Sequence, residues 1–471
     1  MSGKLFHITT FGCQMNVYDS EKLSERLRRK GWKPAADREE ADFVFFNTCS
    51  IREKAARRVI GGLQRLKPLK AKNPQMVLGV GGCVAEQEGR NLLAEIPWLN
   101  LVAGPGRLDE VADLLDGLTA DMPPAVLAGR PETTEQSGLT PDVPAADAPD
   151  HDETPAPLSA FLTIMQGCDN YCAYCVVPYL RGRETSRPSE EILREARDLV
   201  RRGAAEIVLL GQNVNSSGRP GRRGGQDFVA LLKDVAAIEG LKRLRFTTSH
   251  PKDFSPELVE LFGQLPPLCE HVHLPLQAGA DAVLKAMGRR YDRARYLDLV
   301  ARLRAACPEV ALSTDLIVGF PGETEENFQE TLTALEIVRF DSIYSFKYDD
   351  RPQTKASTLP DKVPEEEKAR RLALVQELQK NLTLAKHRTL IGRTVEVLAE
   401  RPARRPGQLA GRTRDNKIVN FEAPSELVGR LVRTTVVEAW PVSLIGRLAE
   451  EERPERLERT ARAAQAPARL P

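Results

Sequence analysis

Three cysteines stand within eight residues, Cys168, Cys172 and Cys175 in Gly167-Cys168-Asp169-Asn170-Tyr171-Cys172-Ala173-Tyr174-Cys175. If their sulfurs are to share a partner, this stretch must fold as one tight loop. The apolar run Ala160 to Met165 just before it reads as a strand, so the loop falls at that strand's carboxyl end. A four-iron cluster has four corners, and three thiolates this close can hold three irons and leave the fourth open to a small chelating ligand. A zinc site would ask for a second Cys or His pair, and none lies within twenty residues on either side. A disulfide would ask for an oxidising compartment. The spacing therefore predicts a cluster with an open iron, with structural zinc as the alternative.

At 471 residues the chain is too long for one ordinary domain, and about three are expected. An apolar content of 41% with 28% charged residues is that of a soluble globular protein. No apolar run approaches the roughly 20 residues needed to cross a bilayer, so no membrane association is expected. Met1-Ser2-Gly3-Lys4 runs straight into a strand pattern without the apolar stretch of a secretion signal, and a cytoplasmic location is expected. In that reducing compartment the eight cysteines serve as ligands or buried apolar residues. The net charge of +1 says little, but its distribution is uneven.

From Lys4 to Leu118 short apolar runs alternate with amphipathic stretches: Leu5 to Thr9 then Ser20 to Arg29, Phe43 to Phe46 then Ile51 to Leu66, Met76 to Val80 then Val84 to Leu93. The pattern predicts a β-α-β-α series on a parallel sheet. A cysteine follows each of the first three strands at once: Cys13 in Phe11-Gly12-Cys13-Gln14, Cys49 in Asn47-Thr48-Cys49-Ser50 and Cys83 in Gly81-Gly82-Cys83-Val84. Ligands of open parallel sheets bind beyond the carboxyl ends of the strands, so these thiols are expected to converge as a second three-thiolate site. The alternative is three small buried residues in tight turns.

Between Asp121 and Pro157 there are eight prolines, no aromatic residue, and eight acidic residues against the single Arg130, the composition of a flexible linker. Beyond it strands are expected at Ala160 to Met165, Ile207 to Leu210, Leu244 to Thr247, Val272 to Leu274, Leu312 to Val318 and Ser342 to Phe346. Helices such as Glu190 to Arg202 and Glu325 to Val338 fall between them. Six βα units are too few for a closed eight-stranded barrel, which predicts a partial, open TIM-like barrel with its site at the carboxyl ends of the strands. A helix from about Pro364 to Thr389 then leads into short strands, among them Thr394 to Leu398, Lys417 to Phe421 and Leu431 to Ala439, of a small barrel. From Lys386 to Ala449 twelve Lys or Arg face six Asp or Glu. This surplus suits a nucleic-acid grip, with an ordinary solvated surface as the alternative. The expected organisation is thus a parallel α/β domain over 4–120, a linker over 121–157, a partial (βα)6 barrel over 158–385, a small β-barrel over 386–449 and a frayed tail over 450–471.

An amine and a carboxylate of a bidentate ligand on the open iron would let one cluster electron cleave a sulfonium bond and yield a carbon radical able to attack C-H bonds. Tyr174 would pack near the cluster or its ligand, or serve as an ordinary core tyrosine. Gly319-Phe320-Pro321-Gly322-Glu323 follows an apolar strand, where glycines let a backbone approach a ligand, and is a candidate cradle for the adenosyl part of a cofactor. Gly211-Gln212-Asn213, Ser249-His250-Pro251 and His273-Leu274-Pro275-Leu276-Gln277 bring polar groups to the same rim, Gln277 being a candidate cofactor contact. His250 and His273 individually suit buried, hydrogen-bonded roles. Cys269 and Cys307 have no companions at ligand spacing.

Taken together, Thr10-Phe11-Gly12-Cys13-Gln14-Met15-Asn16, Asn47-Thr48-Cys49-Ser50-Ile51-Arg52-Glu53, Gly81-Gly82-Cys83 and Cys168 through Val176-Val177-Pro178-Tyr179-Leu180-Arg181-Gly182-Arg183-Glu184 resemble the MiaB family of radical S-adenosylmethionine methylthiotransferases. Gly211-Gln212-Asn213-Val214-Asn215 and Val419-Asn420-Phe421 add to the match, which runs from Lys4 to Ala449 apart from the linker. The resemblance implies an N-terminal methylthiotransferase domain, a central radical domain and a C-terminal TRAM domain for RNA. It implies addition of a methylthio group to carbon 2 of an isopentenylated adenosine beside the tRNA anticodon. In that reading Cys168, Cys172 and Cys175 hold the 4Fe-4S cluster that cleaves S-adenosylmethionine. Cys13, Cys49 and Cys83 hold a second 4Fe-4S cluster that carries the sulfur, and a second S-adenosylmethionine supplies the methyl group. Implied partners are the tRNA anticodon stem-loop, an electron donor such as a flavodoxin or ferredoxin, and a sulfur donor, around a monomeric enzyme. Two positions depart from the family pattern: Ala278-Gly279 follows Gln277 where Ser-Gly is usual, and Gln353 follows Arg351-Pro352 where Gly is usual.

Relatives that act on threonylcarbamoyl-adenosine in tRNA or on a ribosomal-protein aspartate are the nearest rivals, and Gln14-Met15-Asn16 with Ser50-Ile51-Arg52-Glu53 favours the isopentenyl-adenosine enzyme. A non-catalytic iron-sulfur RNA-binding module is the rival of another class. Its function would not need six ligand cysteines around open clusters.

Overall fold

In the computed structural model, which describes residues 4–50, 53–129, 154–218 and 226–450, the run Phe43-Val44-Phe45-Phe46 is buried on both faces. That is the signature of an inner strand of a covered parallel sheet. The strand is β3 (Phe43–Thr48), and it lies between β1 (Leu5–Phe11) and β4 (Val77–Gly82). With β2 (Lys33–Pro34), β5 (Leu101–Ala103) and β6 (Ala125–Leu127) they form one parallel sheet in the order β2-β1-β3-β4-β5-β6. One face carries a core of Val44, Phe46, Val59, Leu63, Leu78 and Val80, and the other a core of Phe6, Leu23, Leu27, Trp32, Phe43 and Phe45. Each β-α crossover brings a strand's carboxyl end directly to a helix start. The first of these helices is α1 (Gln14–Arg29), and the expected helix at Ile51 to Leu66 forms over Glu53–Arg65, with Ile51 and Arg52 outside the described residues.

Strand β6 lies inside the stretch expected to be linker. Ala125 N–H donates to the Asn100 carbonyl (2.9 Å) and Gly104 N–H to the Leu127 carbonyl (2.7 Å), so three apolar residues extend the sheet before the acidic, proline-rich stretch. Linker composition dominates that stretch of sequence, and a three-residue strand has too few positions to show a period. The linker residues 130–153 and tail residues 451–471 lie outside the described residues.

The chain divides into two compact units, one gathering Met1–Ile238, Phe246–Thr248 and Arg351–Ser357, the other Glu239–Arg245, Ser249–Asp350 and Thr358–Pro471. In the first, β7 (Ser159–Thr163) pairs in parallel with β10 (Glu206–Leu210), and the two-residue strands β8 (Met165–Gln166) and β9 (Thr185–Ser186) pair antiparallel. The single strand expected from Ala160 to Met165 is therefore broken at Ile164. Helix α1 packs on this part through Met15 and Tyr18, which meet Val208 and Leu210. A buried polar knot secures the same seam: Arg187 pairs with Glu195 (2.8 Å), Lys22 with Glu195 (2.8 Å), and the Tyr18 hydroxyl donates to Glu195 (3.2 Å).

Strand β11 (Arg243–Phe246) runs from the second unit into the first. In the second unit β12 (His271–His273), β13 (Ala311–Val318) and β14 (Ser342–Lys347) form a parallel sheet in that order, with helices Arg293–Ala306 and Glu325–Val338 between the strands. All six strands expected for the central domain thus form. Helix Glu365–Arg388 opens with three glutamates and closes on Lys386, His387 and Arg388, the arrangement that suits a helix dipole. It leads to β15 (Thr394–Pro402), β16 (Gln408–Thr413), β17 (Ile418–Glu422), β18 (Leu431–Ala439) and β19 (Leu444–Leu448), a closed barrel in the order β15-β16-β17-β19-β18. Its interior is filled by Val397, Val419, Phe421, Val432, Val436 and Leu444. Closure leaves no unpaired edge strand. Among the described residues no helix is long and apolar enough to cross a membrane.

Candidate functional site

Cys13, Cys49 and Cys83, separated by more than thirty residues from one to the next, meet in the first unit because β1, β3 and β4 are neighbours in register. Cys13 is the N-cap of α1, its backbone N–H and its thiol each 3.3 Å from Asn16 Oδ1. Cys49 N–H donates to the Phe11 carbonyl (2.9 Å), which ties the second loop to the first. Cys83 opens the helix Cys83–Glu88 just after Gly82, whose φ of 88° and ψ of −161° belong to glycine alone. A Cβ at Gly82 would collide with Asn47 Oδ1 and the Thr48 carbonyl.

The thiols form a chain, Cys49 hydrogen-bonding to both Cys13 and Cys83. Those two bonds, with burial, push the Cys49 thiol up, and the bond to Cys49 pulls Cys13 and Cys83 down against their own burial. The Arg181 guanidinium lowers both outer thiols further and is itself hydrogen-bonded to Cys83. It is buried and paired with Asp19 at 2.9 Å. Cys49 and Cys83 are buried while Cys13 lies at the exposed rim, so the site opens to one side.

The second set is local. Gly167, at φ 76°, turns the chain out of β8 where a Cβ would strike the Arg183 and Gly182 carbonyls. Cys168 N–H donates to the Gly182 carbonyl (3.1 Å) and Cys175 N–H to the Cys172 carbonyl (2.9 Å). Cys168 and Cys172 are buried, and Cys175 and Tyr174 are half-buried. Burial pushes the Cys168 thiol up, hydrogen bonds from Asn170 oppose this, and the nearby Cys172 and Glu184 add to the rise. Gln212 accepts the Gly167 N–H (2.6 Å), and the Ser216 hydroxyl donates to Glu184 (2.7 Å). None of the eight cysteines forms a disulfide. Among the described residues no three Cys, His, Asp or Glu side chains stand at the spacing of ligands to a single metal ion. A four-iron cluster asks for a wider set, one thiolate per iron, and each loop set offers three cysteines for it.

In the second unit the Gly319 turn is occupied by the chain's own side chains. Phe320 is buried against Tyr348, ring centroids 5.2 Å apart, and Glu323 accepts the Gly319 N–H (2.6 Å) while pairing with Arg371 (2.8 Å). A Cβ at Gly319 would collide with the Lys368 side chain, so the close approach that needs glycine there is by Lys368. Gly322 N–H donates to the Asp361 carbonyl (2.9 Å), and Pro321 lies between these contacts. Gln277, at φ 71°, is buried and bridges β13 through its N–H to the Asp315 carbonyl (2.9 Å). His273 bonds Ser313 (3.0 Å) and lies 3.4 Å from Asp315, and His250 accepts the Lys252 N–H (3.2 Å), the hydrogen-bonded roles expected of both. Cys269 and Cys307 are buried.

Part of the barrel's positive charge is spent internally. Arg412 pairs with Glu400, Arg414 with Glu270, and Lys386 and Lys417 with Asp341. The barrel also presents exposed arginines at Arg393, Arg404, Arg405, Arg430 and Arg447.

The sequence assigned no role to Asn16, Asn47, Gly82 or Arg181, and placed Gln212 only among the polar groups of the rim. Each stands within the motifs quoted above, yet its partner comes from a distant stretch, so only a polar residue recurring beside cysteine loops could have marked it.

Residues 5–104 match the model of uncharacterized protein family UPF0004, residues 162–335 the radical SAM superfamily and residues 388–449 the TRAM domain. The tRNA-2-methylthio-N(6)-dimethylallyladenosine synthase of Geotalea uraniireducens is 46% identical over 94% of this chain and 99% of its own. Its namesake from Nitratidesulfovibrio vulgaris is 47% identical over 95% and 99%, and that from Moorella thermoacetica 44% over 95% and 99%. Among solved structures, the radical S-adenosylmethionine methyltransferase TsrM from Kitasatospora setae is similar in fold, with a TM-score of 0.51 at 15% identity over 75% of each chain. With identity at this level sustained along nearly the whole of both chains, this chain belongs to the tRNA-2-methylthio-N(6)-dimethylallyladenosine synthase family.

Proposed function

We propose that the chain is a radical S-adenosylmethionine enzyme that adds a methylthio group to carbon 2 of dimethylallyladenosine in tRNA, beside the anticodon. The observation that carries this reading is the identity of 44–47% to synthases of that name over 94–95% of the chain, with its six ligand-type cysteines gathered in two loop sets. Membership of the radical SAM superfamily brings S-adenosylmethionine and one 4Fe-4S cluster. Cys168, Cys172 and Cys175 would hold that cluster, and Cys13, Cys49 and Cys83 a second one. When bound, the first supplies the electron that cleaves S-adenosylmethionine and the second supplies sulfur.

The chain's own groups prepare both sites. Asn16 and Asn47 fix the strand-end loops, Cys49 shares its hydrogen bonds with Cys13 and Cys83, and Gln212 with the Gly182 carbonyl shapes the Cys168 loop. Exposed arginines of the barrel would meet the phosphates of an anticodon stem-loop. We assign the segments 4–120, 158–385 and 386–449 to sulfur carriage, radical chemistry and RNA binding, joined by 121–157 and followed by 450–471. A flavodoxin or ferredoxin as electron donor, a separate sulfur donor, a monomeric state and a cytoplasmic location complete the reading. The names of the relatives do not favour threonylcarbamoyl-adenosine or a protein aspartate as target, nor a non-catalytic role.

Mass spectrometry of tRNA nucleosides from cells with and without the gene tests the activity: the 2-methylthio nucleoside should vanish from the deletion strain, its unthiolated precursor taking its place. Unchanged nucleosides would overturn the assignment. Iron analysis tests the two sites, with about eight irons per chain expected and about half that after Cys13, Cys49 and Cys83 are all changed to Ala.

A further inference from the structure

Two consecutive residues of the stretch after Cys175 serve both cysteine sets. The Gly182 carbonyl accepts the Cys168 N–H at 3.1 Å, while the Arg181 side chain reaches back to Cys83 and acts on Cys13. Arg181 is 5% exposed and its guanidinium is 2.9 Å from Asp19 on α1. A buried guanidinium is stable only where anionic groups surround it. Here those groups are one carboxylate and the thiol set, so the site has more than one negative group available to a single permanent positive charge.

We propose that Arg181 is a positioning residue of the Cys13, Cys49 and Cys83 site: its charge offsets the negative charge of the thiolates, the adjoining Gly182 carbonyl ties the site to the Cys168 loop, and the Arg181–Asp19 pair tunes the electron affinity of a cluster held there. This rests on the reading that those three thiolates hold an iron-sulfur cluster. The physical reason is direct. A fixed positive charge in a poorly solvated site favours the more negative, reduced form of a neighbouring cluster, and a carboxylate opposing that charge weakens the effect. Removing the arginine should make the cluster harder to reduce. Neutralising Asp19 while keeping Arg181 should make it easier.

The test uses the full chain with Cys168, Cys172 and Cys175 changed to Ala, so that only the N-terminal site can bind iron. Parent, Arg181→Lys, Arg181→Gln and Asp19→Asn forms are reconstituted with iron and sulfide. Iron per chain is measured, and reduction is followed by electron paramagnetic resonance during a potentiometric titration. Arg181→Gln should lower the reduced-to-oxidised ratio at a fixed potential about tenfold, 59 mV for a one-electron couple. Arg181→Lys should stay near the parent, and Asp19→Asn should move the ratio in the opposite direction. A loosened fold would not produce shifts of opposite sign. If Arg181→Gln binds no iron, the Lys and Asn forms carry the test, and a parent-like potential in Asp19→Asn overturns the proposal. So does an unchanged potential in an iron-loaded Arg181→Gln form. A parent that binds no iron at all would instead overturn the N-terminal cluster.

Discussion

Asn16 and Asn47 hold each other by two hydrogen bonds: the Asn16 side-chain amide donates to Asn47 Oδ1 at 3.0 Å, and the Asn47 amide donates back to the Asn16 carbonyl at 2.9 Å. Both are fully buried. Asn47 also donates to Ser20 (3.0 Å), which in turn accepts the Thr10 hydroxyl (2.8 Å). One polar lock therefore fixes the ends of β1 and β3 and the first turn of α1, the three places from which Cys13 and Cys49 are aimed.

Changing Asn47 to Ala removes the shorter of the two bonds of the Asn16 amide, leaving it only the 3.4 Å bond to the Thr48 carbonyl, and takes the Asn47 donor from the Asn16 carbonyl, all in a dry interior. A buried donor stripped of its partner costs about 1–3 kcal/mol. The expected outcome is a lower thermal midpoint for the unit and about half the iron of the parent protein, because the Cys49 loop loses its anchor. Calorimetry and iron analysis on the same preparation check both, and retention of all iron would show that the lock does not govern the site.

Gly82→Ala should be more damaging. The backbone conformation there costs a side-chain-bearing residue about 1–3 kcal/mol, and the new methyl would also press on Asn47 and the Thr48 carbonyl. Loss of iron from the N-terminal site is expected, with the Cys168 site still loaded. S-adenosylmethionine cleavage by the reconstituted variant separates the two, since it should persist.

Glu195 gives the seam between α1 and β7 a pH dependence. Burial pushes its carboxyl up, but Lys22 and Arg187 overcome this and hold it down to about 2. A pKa depressed on folding contributes stability that is fully present above the unfolded value of about 4.3, and this is lost as pH falls through about 2. Glu195→Gln should therefore cost about 3 kcal/mol at pH 7, as expected for breaking a buried ion pair. The gap between parent and variant should be the same at pH 7 and pH 5.5 and narrower at pH 3.5. Chemical denaturation at the three values checks this, and a constant gap down to pH 3.5 would remove Glu195 as its source.

Binding of an anticodon stem-loop should weaken steeply with salt, since neutralised phosphates release counterions. Changing Arg404 and Arg405, exposed on the turn between β15 and β16, to Ala should lower the slope of log K against log salt by about one for each phosphate no longer neutralised. A salt titration by fluorescence anisotropy measures it. A flat response in the parent protein would point away from the barrel as the grip.

Some elements are visible in the chain because their signal is local. The eight-residue strand β13 and the 24-residue helix Glu365–Arg388 are long enough for periodicity to show, and the Cys168 loop is a motif in itself. Strands β2, β5, β6, β8 and β9, of two or three residues each, show no period, and they exist because neighbouring strands supply their hydrogen bonds.

The sequence alone therefore determined the parallel α/β class, the positions of the six ligand-type cysteines and, through its motifs, the family. Each of these depends on residue identity and short-range spacing. Tertiary structure decided which groups meet. It placed Arg181 against Cys83 and Asp19, locked Asn16 to Asn47, and filled the Gly319 turn with Lys368 rather than leaving its backbone open. The physical reason is that hydrogen bonds and buried charges act over a few ångströms, and distances of that kind between residues far apart in the chain are created only when the sheet and its helices assemble.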